Sequence, residues 1–264
     1  MKLFFRKLGS GPPMIILHGL YGMSDNWMTI ARVLSKSFEV YLPDMRNHGR
    51  SPHSPYHNYE IMQNDIYEFC KEQGIEKAVL MGHSMGGKIA MSFAKAHPEM
   101  LTHLIIVDIS PREYTTADDE LSHFFNHRKI INALRSINLA ELKHRDEADA
   151  ALALEIDLPY VRSFLLKNLY HNTDKNFDWR VNLKAISKSL PDIMAGIDAD
   201  EPITGFSVLF VRGGLSDYII DEDAKLIEKI FPTTEIVSIE NASHWLHAEH
   251  PIEFIKIVNE FVLG

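Results

Sequence analysis

Residues 79–88 read Val-Leu-Met-Gly-His-Ser-Met-Gly-Gly-Lys: a short apolar run, then Gly-x-Ser-x-Gly, then Ile89, Ala90, Phe93 and Ala94 at helical spacing. The pattern predicts a strand that turns directly into a helix with Ser84 at the apex, a nucleophile elbow. An apex residue of that turn has φ > 0, and strand and helix pass so closely that a side chain at Gly82 or Gly86 would collide. The turn exposes the Ser84 hydroxyl and sets the Met85 N–H at a helix N-terminus, where a free donor and the helix dipole favour an oxyanion.

The same residues also satisfy Gly82-x4-Gly87-Lys88, most of a phosphate-binding loop. Ile89 stands where such a loop needs Ser or Thr to ligate Mg²⁺, and the serine reading is the stronger.

Around the elbow, short runs of Val, Ile, Leu and Met recur at Met14–Leu17, Phe38–Leu42, Ala78–Met81, Leu104–Val107, Val208–Val211 and Glu235–Ile239. Each is too short for a helix and reads as a buried parallel strand. Helical spacing between them, as at Trp27, Ile30, Ala31 and Leu34, implies βαβ units and a mostly parallel sheet flanked by helices. The alternation stops from Pro111 to about Gly205, where Leu121, Phe124, Phe125, Ile131 and Leu134, then Val161, Phe164, Leu165 and Leu169, keep helical spacing without a convincing strand. Residues 1–110 and 206–264 are therefore expected to form the core, with 111–205 a helical insertion between two late strands.

Charge and cysteine content narrow the partners. Lys and Arg number 27 against 36 Asp and Glu, a formal charge of −9, which disfavours nucleic acid. Cys70 is the single cysteine, so no intrachain disulfide can form. No apolar run approaches the roughly 20 residues of a membrane span, and a soluble, cytoplasmic protein is expected. Oligomeric state is not legible.

A base for Ser84 must come from 14 histidines. His244 follows the last strand run and precedes the final helix, which satisfies the order serine, acid, histidine. His247 and His250 are expected at the surface or as caps. Two aspartates follow strand ends, Asp108 and Asp217, and either could orient the imidazole. His18-Gly19-Leu20-Tyr21-Gly22 follows the first buried run, so the Leu20 amide is the second candidate oxyanion donor, with His18 structural. Neither His244, His247 and His250 nor His123 and His127 have the glutamate of an HExxH zinc site, so no metal or other cofactor is expected.

Taken together, these residues resemble the α/β-hydrolase superfamily and, more closely, the YbfF-like esterase group that includes abhydrolase domain-containing protein 11. Beyond the elbow the resemblance rests on 44–54 (Asp-Met-Arg-Asn-His-Gly-Arg-Ser-Pro-His-Ser), 107–111 (Val-Asp-Ile-Ser-Pro), 161–169 (Val-Arg-Ser-Phe-Leu-Leu-Lys-Asn-Leu), 179–183 (Trp-Arg-Val-Asn-Leu) and 243–249 (Ser-His-Trp-Leu-His-Ala-Glu). It implies a cap over the serine at 111–205 and Asp108 as the acid; Asp217 occupies the place commoner across the superfamily.

The expected chemistry is hydrolysis of a small acyl ester or thioester by Ser84, His244 and Asp108, or Asp217, through an acyl-enzyme. Perhydrolysis or haloperoxidase chemistry, C–C hydrolysis and acyl transfer share this machinery, and a non-catalytic ligand-binding protein of the same fold is the alternative of another class. Phe124, Phe125, Tyr160, Phe164 and Trp179 could line an acyl pocket or simply pack. The clusters His127-Arg128-Lys129 and Lys143-His144-Arg145 read as solvated helix faces, with the phosphates of an acyl-CoA as the other possibility.

Overall fold

The computed structural model describes residues 1–114 and 123–264, the side chain of Phe125 excepted. Leu121 of the expected helical pattern lies outside the described residues. In chain order the strands are β1 (Phe5–Leu8), β2 (Pro13–Leu17), β3 (Glu39–Pro43), β4 (Ala78–His83), β5 (Leu101–Val107), β6 (Leu169–His171), β7 (Phe177–Trp179), β8 (Ser207–Gly213) and β9 (Thr234–Ile239). The α-helices are α1 (Met28–Leu34), α2 (Tyr59–Gln73), α3 (Met85–Ala96), α4 (His123–Ser136), α5 (Arg145–Ala153), α6 (Pro159–Leu166), α7 (Leu183–Lys188), α8 (Leu190–Met194), α9 (Ala224–Ile230), α10 (Leu246–Glu249) and α11 (Pro251–Leu263).

Among the described residues, seven strands form one sheet in the order β1-β3-β2-β4-β5-β8-β9. Every neighbouring pair is parallel except β1 with β3. Each expected strand run falls within one of these strands, apart from Phe38, which precedes β3.

The continuous apolar runs are needed because both faces of the sheet are covered, and strand alternation divides each run between two cores. Ile15, Leu17, Leu80, Leu104, Ile106, Val208 and Phe210 point to one side, against Met62, Ile66 and Phe69 of α2 and Ile89, Ala90 and Phe93 of α3. Met14, Ile16, Val79, Met81, Ile105, Val107, Leu209 and Val211 point to the other, against Ile30, Ala31 and Leu34 of α1 and Phe254 and Val258 of α11. Helix boundaries follow capping chemistry: Asn58 accepts the Ile61 N–H at 2.9 Å to open α2, and Gly74, at φ +68°, closes it.

Two strand regions depart from expectation. β1 is an antiparallel edge strand that carries Arg6 and Lys7, paired with Asp25 and Glu39. Such charges protect an edge from pairing with other chains while erasing the apolar signature of a strand. Segment 111–205, expected to be helical throughout, also contains the antiparallel hairpin β6–β7, whose strands are three residues each.

The remainder of 111–205 supplies α4 to α8, placed in the chain between β5 and β8. Ile131, Leu134, Leu152, Leu165, Ile186 and Ile193 bury against the core on the α2–α3 side. Polar ties join it to loops at the carboxyl ends of the strands: Asn168 Nδ2 donates to the Tyr21 carbonyl at 2.7 Å, and the Asn182 N–H to the Asn47 carbonyl at 2.8 Å. No helix among the described residues is long and apolar enough to cross a membrane.

Candidate active site

The parallel register brings Leu17, His83, Val107, Gly213 and Ile239 to one edge of the sheet, so the loops after them converge where open α/β sheets place their ligands. Ser84, directly after β4, has φ +53° and ψ −121°. A non-glycine residue there costs roughly 1–3 kcal/mol, a strain tolerated only where the surroundings fix it. The surroundings do so at both glycines. A Cβ on Gly82 would lie 2.1 Å from the Gly86 carbonyl oxygen, and one on Gly86 would lie 2.4 Å from that of Leu17. The Ser84 N–H donates to the Val107 carbonyl at 3.0 Å, and the Ser84 carbonyl accepts from Gly87 at 2.8 Å, so the apex backbone is held from both sides.

Ser84 and His244 line one cavity of about 290 Å³, with Leu20 on the same wall. His244 lies between β9 and α10, and its Nδ1 is 2.8 Å from Asp108 Oδ2. Asp108 has no exposed surface and also accepts the Gly213 N–H at 2.9 Å and the Ser216 hydroxyl. A carboxylate with these partners fixes the ring with its Nδ1 proton toward the acid and leaves Nε2 free. The stacked face of Tyr218, 3.9 Å away between centroids, sets the plane of the ring. Asp217 is placed differently: its side chain is 76% exposed and its Oδ1 lies 3.4 Å from His123 Nε2. The geometry thus pairs His244 with Asp108. The loop carrying Asp217 contributes Ser216 instead.

Met85 opens α3, and its own N–H, at the first helical position, has no preceding turn of helix to donate to; its side chain is buried in the core. His18 is tied to backbone at both ring nitrogens, Nδ1 to the Gly19 carbonyl at 2.8 Å and Nε2 to the Met45 N–H at 2.9 Å. Burial lowers its pKa, which fits a neutral ring in a structural role. His83 donates from Nε2 to the His244 carbonyl at 2.8 Å, joining the elbow to the histidine loop.

Several lining residues differ from their sequence reading. His247, expected at the surface or as a cap, is buried and stacks on Trp27 at 4.2 Å. Burial, with a smaller contribution from His244, pushes its pKa down to about 3. His127, read as part of a solvated basic cluster, is likewise buried, and its Nε2 is 3.3 Å from the Tyr218 hydroxyl; burial, then His123 and His244, brings it to about 3. Tyr218 itself was missed, although it directly follows the strand-end loop that raised Asp217. Of the aromatic residues offered as pocket lining, Phe164 lines the cavity with Ile130, Val161, Leu165 and Trp245. Tyr160 is half exposed and edge-on to Trp245. Phe124 and Trp179 pack into the core without lining the cavity, and the Phe125 side chain lies outside the described residues.

A family model described as alpha/beta hydrolase fold matches residues 12–129. The sn-1-specific diacylglycerol lipase ABHD11 of Danio rerio is 36% identical over 256 residues, covering 96% of this chain and 79% of that protein. The chain belongs to the α/β-hydrolase family. Esterase YbfF of Escherichia coli (strain K12) is 30% identical over 250 residues, 95% of this chain and 92% of its own. A solved structure, a marine microorganism esterase, superposes with a TM-score of 0.95 at 48% identity, and the match covers 99% of both chains.

Proposed function

We propose that this chain is a serine hydrolase of carboxylic esters, and of thioesters with small acyl groups, acting through Ser84, His244 and Asp108. The observation that carries the reading is the His244 Nδ1 to Asp108 Oδ2 distance of 2.8 Å with Ser84 on the wall of the same cavity. The esterases and the lipase among its relatives support it.

Ser84 Oγ attacks the acyl carbonyl while His244 Nε2 takes its proton, and Asp108 stabilises the imidazolium without accepting that proton. The carbonyl oxygen becomes an oxyanion held by the Leu20 and Met85 N–H groups. Collapse breaks the bond to the alcohol or thiol, which leaves with the proton from His244. Water then repeats the sequence on the acyl-enzyme, and the carboxylic acid departs. The chemistry needs no cofactor. The cavity stands near the small end of the roughly 300–1,000 Å³ usual for ligand pockets, and its apolar wall of Val161, Phe164 and Leu165 favours short acyl chains. We read residues 111–205, which supply that wall, as a cap domain.

The test is a p-nitrophenyl ester series from C2 to C16 with covalent labelling by a fluorophosphonate. Hydrolysis is expected to be fastest at the short end, and Ser84→Ala to lose labelling and several orders of magnitude in turnover. Undiminished turnover in Ser84→Ala would refute the assignment.

A further inference from the structure

A second pocket, of about 370 Å³, opens between the Met23–Asp25 turn, Arg50 and the β6–β7 hairpin. Four cations line it: Arg50, Arg145, Lys167 and Arg180. On a chain with a formal charge of −9, such a cluster does not follow from composition. Among the described residues none of the four is ion-paired.

Three guanidinium groups are nevertheless held in place, each by a partner that leaves its charge intact. Arg145 donates to the carbonyls of Leu166 and Leu169, the latter at 2.6 Å. Arg180 lies over the Tyr170 ring at 4.4 Å and Arg50 over the Phe4 ring at 4.9 Å. The two carboxylates of the wall are engaged elsewhere: Asp25 pairs with Arg6, and buried Asp44 accepts the N–H groups of Ser24 at 2.6 Å and Arg50 at 2.8 Å. With Asp25 neutralised and Asp44 counted, the pocket keeps an excess of three positive charges.

Fixed, unneutralised guanidinium groups are what a multiply charged oxyanion needs, since their planar forks match its oxygens and little ordering remains to be done on binding. From this arrangement we propose that the pocket binds a phosphate group, as a phosphomonoester or diphosphate. It is separate from the cavity of Ser84: Tyr21, Gly22, Asn26 and Trp27 line one, and Met23, Ser24 and Asp25 the other, so a single loop divides them. The proposal goes beyond the hydrolase reading and stands without it.

Titration calorimetry with pyrophosphate on the full chain at low ionic strength tests it, with Ser84→Ala run in parallel. One saturable site of equal affinity is expected in both proteins, which keeps the outcome independent of catalysis. Lys167→Glu removes an exposed side chain that holds no other element, and should weaken binding at least tenfold, as should Arg180→Met. Lys256→Met, remote on α11, should change it less than twofold. Vesicles containing phosphatidic acid divide the sources: sedimentation of the protein with them, reversed by pyrophosphate, assigns the site to a lipid headgroup, and pyrophosphate binding alone assigns it to a soluble phosphate. No saturable binding of either probe overturns the proposal. So does equal weakening by Lys256→Met and Lys167→Glu, which would mean diffuse attraction and not a site.

Discussion

Lowering the pH from 7.5 to 5.5 should destabilise this fold through histidines that it buries uncharged. His57, His127 and His247 each lie near a pKa of about 3, held there first by burial and then by Arg46, His123 and His244 respectively. In the unfolded chain all three return to about 6.5. Between pH 3 and 6.5 the unfolded state therefore binds more protons, so the stability present above 6.5 is lost as the pH falls. At pH 5.5 the loss is about 1.4 kcal/mol per histidine, or about 4 kcal/mol for the three, against less than about 0.1 kcal/mol each at pH 7.5. Both pH values stand well above 3, so the figure is set by proton affinity in the unfolded chain. Burial shifts His18, His48 and His83 in the same direction, and they add to the loss. For a domain of this size the three correspond to a fall in Tm of roughly 10 °C. Urea unfolding and thermal melts at pH 7.5, 6.5 and 5.5 measure it. His57→Gln removes one titrating ring away from the cavity and should reduce the loss between pH 7.5 and 5.5 by the share of one histidine, about 1.4 kcal/mol. A Tm constant within about 2 °C over this range, or a His57→Gln protein with the full slope, would show the reasoning to be wrong.

Other substitutions address the site and its supports. Asp108→Asn should lower kcat by roughly 10³–10⁴, because the ring loses its anchor and its imidazolium goes unstabilised, whereas Asp217→Asn should change kcat less than twofold; comparable losses in steady-state ester hydrolysis would contradict the pairing of His244 with Asp108. Gly86→Ala puts a methyl group 2.4 Å from the Leu17 carbonyl oxygen, so it should unfold the elbow or cost more than about 3 kcal/mol in urea titration, and a protein of unchanged stability and activity would mean that the close approach is not real. Lys88→Met leaves three carbonyls without their donor and should cost about 3 kcal/mol in the same titration, the three losses being partly offset by no longer burying a charge.

The interior of the sheet was legible because burial on both faces demands unbroken apolar runs, and β2, β4, β5 and β8 contain little else. The edges were not, because an edge strand answers to solvent: Arg6 and Lys7 hide β1, and three residues are too few for alternation to show in β6 and β7. Ser84 was legible because its backbone dictates the neighbouring glycines. The carboxylate that bonds His244 was not, since Asp108 and Asp217 both follow strands that end on the same edge, and only the path of each loop decides which of them reaches the ring. For the same reason His127 and His247 were misjudged: polarity predicts exposure, and what buries them is the packing of α4 and Trp27 around a shared cavity.

Lys88 shows how a motif can be legible as a spacing and not as a purpose. Four residues beyond Ser84 on α3, its ammonium is fully buried and donates to the carbonyls of Pro111 at 3.0 Å, Arg112 at 2.5 Å and Ala195 at 2.9 Å. Burial draws its pKa down to about 7, while three acceptors around three N–H protons favour the charged form. Pro111 and Arg112 lie where the chain departs for the inserted segment, and Ala195 lies where it returns. The helix that begins at the serine therefore grips both ends of the segment whose Val161, Phe164 and Leu165 wall the cavity. Ser84 and both ends of that segment are thereby tied to one helix, which adds to the Asn168–Tyr21 and Asn182–Asn47 bonds that hold the segment over the strand ends. Loosening that grip should disturb the fit of the acyl group, read as KM and chain-length preference, before it disturbs the bond between His244 and Asp108.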